Sequence, residues 1–194
     1  MATVPSMRTW VDGEVITAAE MNANFRDPTN WLAGCSQGSG TPKPHGFARQ
    51  FDPTTGPTVI GTNSWTSVLW DFEDVDTDSG FTFTGSPAKA NHYEVNTAGY
   101  YLVTGHLNWD FNTTGSRAAR LTKNLAIIPG AYESTLATDV ATGLTVTAIV
   151  ACVVGDDIAL QGWQTSGVNL NTNLNYGFFR NETSYLDVAW FQST

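Results

Sequence analysis

The sequence predicts an all-β sandwich or jelly roll preceded by one short helix, and three observations carry that prediction. Strand-like runs recur about every 8 to 15 residues after position 45, with Gly, Pro, Asn and Asp between them. No run of helical periodicity occurs after residue 33. The stretch 142–164, TGLTVTAIVACVVGDDIALQGWQ, reads as two long strands joined by a Gly-Asp-Asp turn. Strands are expected at 46–51, 66–72, 81–84, 92–95, 99–111, 117–128, 142–154, 157–164, 176–179 and 185–192.

The stretch 142–164 organises the rest. Leu144, Val146 and Ala148 fall on one face, and Thr145 and Thr147 on the other. From residue 148 to 154 the alternation stops and both faces are apolar. Side chains of a strand alternate between faces, so a sheet with one wet face does not give this pattern. Ile149, Ala151 and Val153 therefore call for a second cover, and another copy of the chain is the expected one. The strand 99–111 is conventional by contrast. Tyr101, Val103, Leu107, Trp109 and Phe111 share one face with Gly105, whereas Leu102, Thr104, His106, Asn108 and Asp110 share the other.

The chain has 194 residues, a net charge of −9 and only 14% charged residues, with seven Trp and ten Phe. A nucleic-acid partner would need a basic stripe, which is lacking. The longest apolar run, 148–154, is far short of a membrane span, so no membrane insertion is expected, and the N-terminus has no apolar signal core. The chain is accordingly expected to be assembled in a cytoplasm. Cys35 lies in a Gly/Ser-rich stretch and Cys152 in the most apolar strand, which favours two free thiols over a disulfide.

Residues 1–33 read as a separate module, and residues 34–45 as a flexible linker leading to a β domain at 46–194. Thr17 is the N-cap of a helix, Glu20 completes a capping box, and Ile16 with Met21 forms a hydrophobic staple. Trp10, Val15, Ile16, Met21, Phe25, Trp31 and Leu32 are too few for an independent core, so the module needs a surface to dock on. That surface is either its own β domain or a partner. The pattern Arg8-Thr9-Trp10-Val11-Asp12-Gly13-Glu14-Val15-Ile16-Thr17-Ala18-Ala19, with Asn22 to Asp27 and Trp31-Leu32, resembles the N-terminal segment of virion proteins from actinobacterial phages, commonly labelled minor tail proteins. The resemblance spans about thirty residues. It implies a docking segment for other virion proteins, whether of the tail or the major capsid protein.

A second resemblance covers about residues 46–194. Asn96-Thr97-Ala98-Gly99-Tyr100-Tyr101 enters a long strand, Val154-Gly155-Asp156-Asp157-Ile158-Ala159-Leu160 follows an apolar one, and Ser184 to Phe191 closes the domain. This spacing resembles the C1q/TNF-like jelly roll. It departs at the end, where Asp187-Val188-Ala189-Trp190-Phe191 replaces the glycine-containing terminal strand of that family. The family is predominantly trimeric, so the resemblance implies a homotrimer, in agreement with the doubly apolar strand.

Chemistry is sparse. His45, His92 and His106 are isolated, and no nucleophile elbow or metal-ligand spacing occurs, so no enzyme and no catalytic residue is expected. Asp74, Asp76 and Asp78 superficially suggest a calcium loop, but Gly80 is one position late and Gly85 stands where the bidentate Glu belongs. Calcium remains the only cofactor left open, against the reading of a solvated acidic turn. Trp163, Gln164, Asn169, Asn171 and Tyr176 combine aromatic faces with amides in a way that suits a host surface glycan. The alternative is a polar loop with Trp163 packed at a subunit boundary. The expected protein is thus a non-enzymatic homotrimer on a virion surface, acting as a minor tail or fibre protein in host adhesion. A capsid decoration protein or head fibre, and a lectin-like module, are the alternatives.

Overall fold

The computed structural model describes residues 43–52, 56–137, 142–172 and 183–193. The N-terminal module with its docking residues, Cys35 and the strand expected at 176–179 lie outside the described residues.

Twelve strands form among the described residues: β1 (His45–Arg49), β2 (Val59–Ile60), β3 (Thr66–Ser67), β4 (Phe72–Asp76), β5 (Tyr93–Glu94), β6 (Gly99–Trp109), β7 (Ser116–Lys123), β8 (Ala126–Leu136), β9 (Thr142–Cys152), β10 (Asp157–Gln164), β11 (Leu170–Asn171) and β12 (Tyr185–Gln192). The front sheet runs β4-β1-β12-β6-β9 and the back sheet β3-β10-β7-β8, with β5 also paired to β10; β2 and β11 form a small ribbon. All named pairs are antiparallel. The expected all-β jelly-roll sandwich is what the chain forms.

The core lies between the sheets and is built from the alternate residues of each strand. Tyr101, Val103, Leu107 and Trp109 of β6 face Leu121 of β7 and Ile158 and Leu160 of β10 across it, with Leu144, Val146 and Val150 of β9 alongside. Gly162 of β10 is small because the other layer comes very close. A Cβ there would sit 2.5 Å from Ile60 Cδ1 and 2.7 Å from Leu107 Cδ2, closer than packed atoms approach.

Two expected strands are each divided. The run 66–72 leaves the back sheet after Ser67 and joins the front sheet at Phe72. In between, Val68 N donates to Leu160 O and Trp70 N to Ala90 O, while the Val68 and Trp70 side chains are buried. Continuous apolar and β-branched character here marks a crossing between layers rather than one strand. The run 117–128 contains a hairpin turn at Asn124 and Leu125, both at positive φ (51° and 66°). Asn124 tolerates that conformation, whereas Leu rarely adopts it, which is why the turn is hidden in the sequence. The expected strand at 81–84 is reduced to isolated bridges, Phe81 with Tyr93 and Thr84 with Lys89.

The two chain ends of the domain leave side by side. His45 opens β1 opposite Ala189 of β12, Trp190 N donates to Pro44 O at 2.9 Å, and β12 ends against Tyr100 at the start of β6.

Cys152 is a free thiol, buried on the core side of β9. Burial pushes its pKa up to about 11, with Lys123 opposing and Asp156 adding to the shift. At pH 8 the group is held as the unreactive thiol. Cys152 in the native full-length chain should therefore react with a thiol reagent on the order of tenfold more slowly than in urea-unfolded protein; equal rates would contradict its burial.

Candidate functional site

Two sheet faces point away from the core, and they differ in character. On the front sheet, β9 and β6 pair Tyr100 with Ala151, Leu102 with Ile149, Thr104 with Thr147 and His106 with Thr145. The next strand, β12, sets Ala189 beside Leu102, Asp187 beside Thr104 and Tyr185 beside His106. The outward side chains thus divide the sheet lengthwise into an apolar end and a polar-aromatic end.

At the apolar end, Ile149 is 62% exposed, Val153 62% and Leu102 44%. Ala151 is exposed as well, and Tyr100 leans on the exposed Phe191 at 6.3 Å between ring centroids. Ile149, Ala151 and Val153 are exposed in the single copy, and Tyr100, Leu102 and Phe191 enlarge the patch. Val150 faces the opposite way, into the core. A contiguous patch of this kind on a sheet face marks an association surface.

At the other end of the same face the side chains hold one another. Tyr185 lies between two rings, Phe47 at 5.4 Å and His106 at 5.5 Å. His106 Nδ1 is 2.7 Å from Thr145 Oγ1, and Thr104 and Thr147 pair through their hydroxyls at 3.2 Å. His45 Nε2 lies 2.9 Å from Asp187 Oδ1, whereas His92 reaches Asp157 at 3.4 Å at the start of β10. The three histidines therefore serve separate contacts, His45 on β1, His106 on β6 and His92 just before β5.

The acidic loop is wired to protein donors. Arg49 Nε and Nη2 donate to Asp74 at 2.6 and 3.2 Å. Asp76 accepts the backbone N–H groups of Gly80 and Phe81, both at 2.9 Å, and Asp78 accepts the Tyr93 hydroxyl. Burial raises the Asp78 pKa, the Tyr93 hydrogen bond opposes this, and neighbouring Asp76 adds to it. No group of three His, Cys, Asp or Glu side chains converges as a metal site among the described residues. Asp76 thus closes the turn by accepting its amides.

The back sheet presents a different surface. Trp163 points outward from β10 and stacks with Trp65 at 6.2 Å and 28° between planes. Trp65 also meets the edge of Tyr132 at 6.2 Å, and the Arg120 guanidinium sits 3.9 Å above the Trp65 ring. Arg120 Nε donates to Gln161 Oε1 at 2.8 Å, and Gln161 Nε2 donates to Ser67 Oγ at 3.3 Å.

Among the described residues expected to bind a glycan, Trp163 and Gln164 point to opposite faces of β10. Gln164 requires correction, because it follows Trp163 on a strand and so points inward. It is fully buried. Its amide donates to Ile60 O and Val168 O, and its Oε1 accepts Ser166 N at 2.6 Å. It clamps the loop after β10 and has nothing left for a ligand. Asn169 and Asn171 are exposed on that loop and on β11, and Asn171 O accepts Asp110 N. Tyr176 lies outside the described residues. Trp65, Arg120, Tyr132 and Gln161 escaped the sequence reading. Their signal was the hairpin at Asn124-Leu125, which sets Tyr132 opposite Arg120.

Strand order and core together define this domain as a C1q/TNF-like jelly roll. It is similar to the globular domain of zebrafish complement 1qA protein, with 11% identity, a TM-score of 0.53, and 78% of this chain and 100% of that chain covered. It is likewise similar to Eiger TNF from S. frugiperda, with 16% identity, a TM-score of 0.53, and 79% of this chain and 95% of that chain covered. No protein-family model and no curated protein matches the sequence. At such identities the shared property is the fold.

Proposed function

We propose that the jelly roll is the self-associating head of a non-enzymatic virion surface protein. Three copies pack through their front sheets, residues 1–33 attach the chain to the particle, and the heads meet the host surface as part of a minor tail or fibre protein. The observation that carries the association is the apolar end of the front sheet, where Ile149, Leu102 and Val153 stand in water in a single copy. Fully burying one such side chain contributes about 1.5–3 kcal/mol, and three copies bring several each. The number three rests on the C1q/TNF-like resemblance, and the virion role on the N-terminal sequence pattern.

Sedimentation velocity of the full-length chain should give a species of three times the 21.0 kDa chain mass. A monomer at micromolar concentration would overturn the association. Chain lacking residues 1–33 should still sediment as the trimer and fail to enter particles when supplied to assembling virions. Normal incorporation would place the attachment elsewhere. Copy number per particle then locates it: a handful of copies indicates the tail, and tens to hundreds indicate the capsid.

A further inference from the structure

The outward face of the back sheet carries a cation and several aromatic rings at one end, away from its carboxylates Asp157 and Glu94 at the other. Along paired positions it reads Ala118, Ser134 and Trp163, then Arg120, Tyr132 and Gln161, then Thr122, Ile127 and Ala159. The chain has 18 acidic residues and a net charge of −9, so a guanidinium set among aromatic and neutral side chains stands out. Arg120 has no carboxylate partner among the described residues; its side chain is held by neutral Gln161 and by the Trp65 ring. Elsewhere Arg49 and Lys123 pair with Asp74 and Asp156. Arg120 is thus positioned but not neutralised.

We propose that Trp163, Trp65, Tyr132 and Arg120 form a binding platform for an acidic glycan. The apolar face of a pyranose ring rests on the aromatic side chains. Its carboxylate or phosphate accepts hydrogen bonds from Arg120, whose planar fork suits such groups. Tyr132 is 51% exposed and Trp163 half-buried, so the rings retain surface for a ligand. Gln161 is a positioning residue: fixed by Ser67, it sets the angle of the guanidinium. The platform gives chemistry to the adhesion reading and rests on it. It lies on the sheet opposite the proposed interface, so assembly and glycan binding fail independently.

The test titrates full-length protein with three probes by calorimetry: a galacturonic acid oligosaccharide, a glycerol-phosphate teichoic oligomer and a neutral cello-oligosaccharide. Binding of either acidic probe, weakened about tenfold or more by Arg120→Gln and by Trp163→Ala, is expected. The stronger of the two acidic probes identifies carboxylate or phosphate as the natural group. Arg120→Lys, which keeps the charge and loses the fork, should restore only part of the affinity. Absence of binding to all probes at millimolar concentration overturns the proposal. So does equal binding of the neutral sugar, or affinity indifferent to both substitutions in variants whose melting and sedimentation match the parent chain.

Discussion

Ile149→Asp together with Leu102→Asp should turn the proposed trimer into folded monomers. The two residues are cross-strand neighbours at the centre of the exposed apolar patch, and neither contributes to the core of its own subunit. In a single copy the new carboxylates are solvated and cost little. In the packed assembly they would be buried without partners, a penalty of several kcal/mol per charge, added to the lost apolar burial. Three copies multiply the effect, so the association constant should fall by many orders of magnitude. Sedimentation should report one slow species while the circular dichroism spectrum and melting of the fold persist. Retention of the trimer would show that this face is not the interface. Val150→Asp makes the contrast: Val150 faces inward, so its replacement should unfold the domain instead of separating it.

Tyr93→Ala should have the largest effect on stability. The ring fits a slot with glycine on two sides. A Cβ at Gly46 would lie 2.4 Å from Tyr93 Cε2, and one at Gly80 2.2 Å from it. Phe81 meets the ring edge-on at 5.2 Å, and the hydroxyl donates to Asp78. Removing the ring empties this slot and leaves a part-buried carboxyl without its donor. The expected loss is about 3–5 kcal/mol, against a total stability of roughly 5–15 kcal/mol for a domain. Tyr93→Phe, which keeps the ring and removes the hydrogen bond, should cost about 1–2 kcal/mol. Gly80→Ala should destabilise by about 1–3 kcal/mol through overpacking. Urea denaturation of the full chain measures all three, and a Tyr93→Ala variant as stable as the parent would show that the slot collapses without cost.

How much of this was legible in the sequence depended on the kind of signal. Strands β6, β9, β10 and β12 were read within two or three residues because their apolar residues alternate over long runs, and alternation is the direct imprint of a half-buried sheet. The outward set Ile149, Ala151 and Val153 was readable from the same rule. The division of 66–72 was not, since Val68 and Trp70 satisfy their backbones across layers through long-range partners that leave no local trace. The back-sheet platform was hidden for a related reason. Asn124-Leu125 carries no glycine, so the hairpin was invisible, and without it Tyr132 has no reason to sit near Arg120. Gln164 was misplaced by composition: an amide next to Trp looked like a ligand group, whereas strict alternation already assigned it to the interior.

Because Pro44 and Trp190 are joined by a backbone hydrogen bond, the first strand of the jelly roll begins and its last strand ends at a single pole. The opposite pole, with the Asn112–Gly115 bend between β6 and β7, is covalently unencumbered. Such a module can be cut out and exchanged as a cassette, or accept a peptide inserted at that bend, without either change pulling on the other pole.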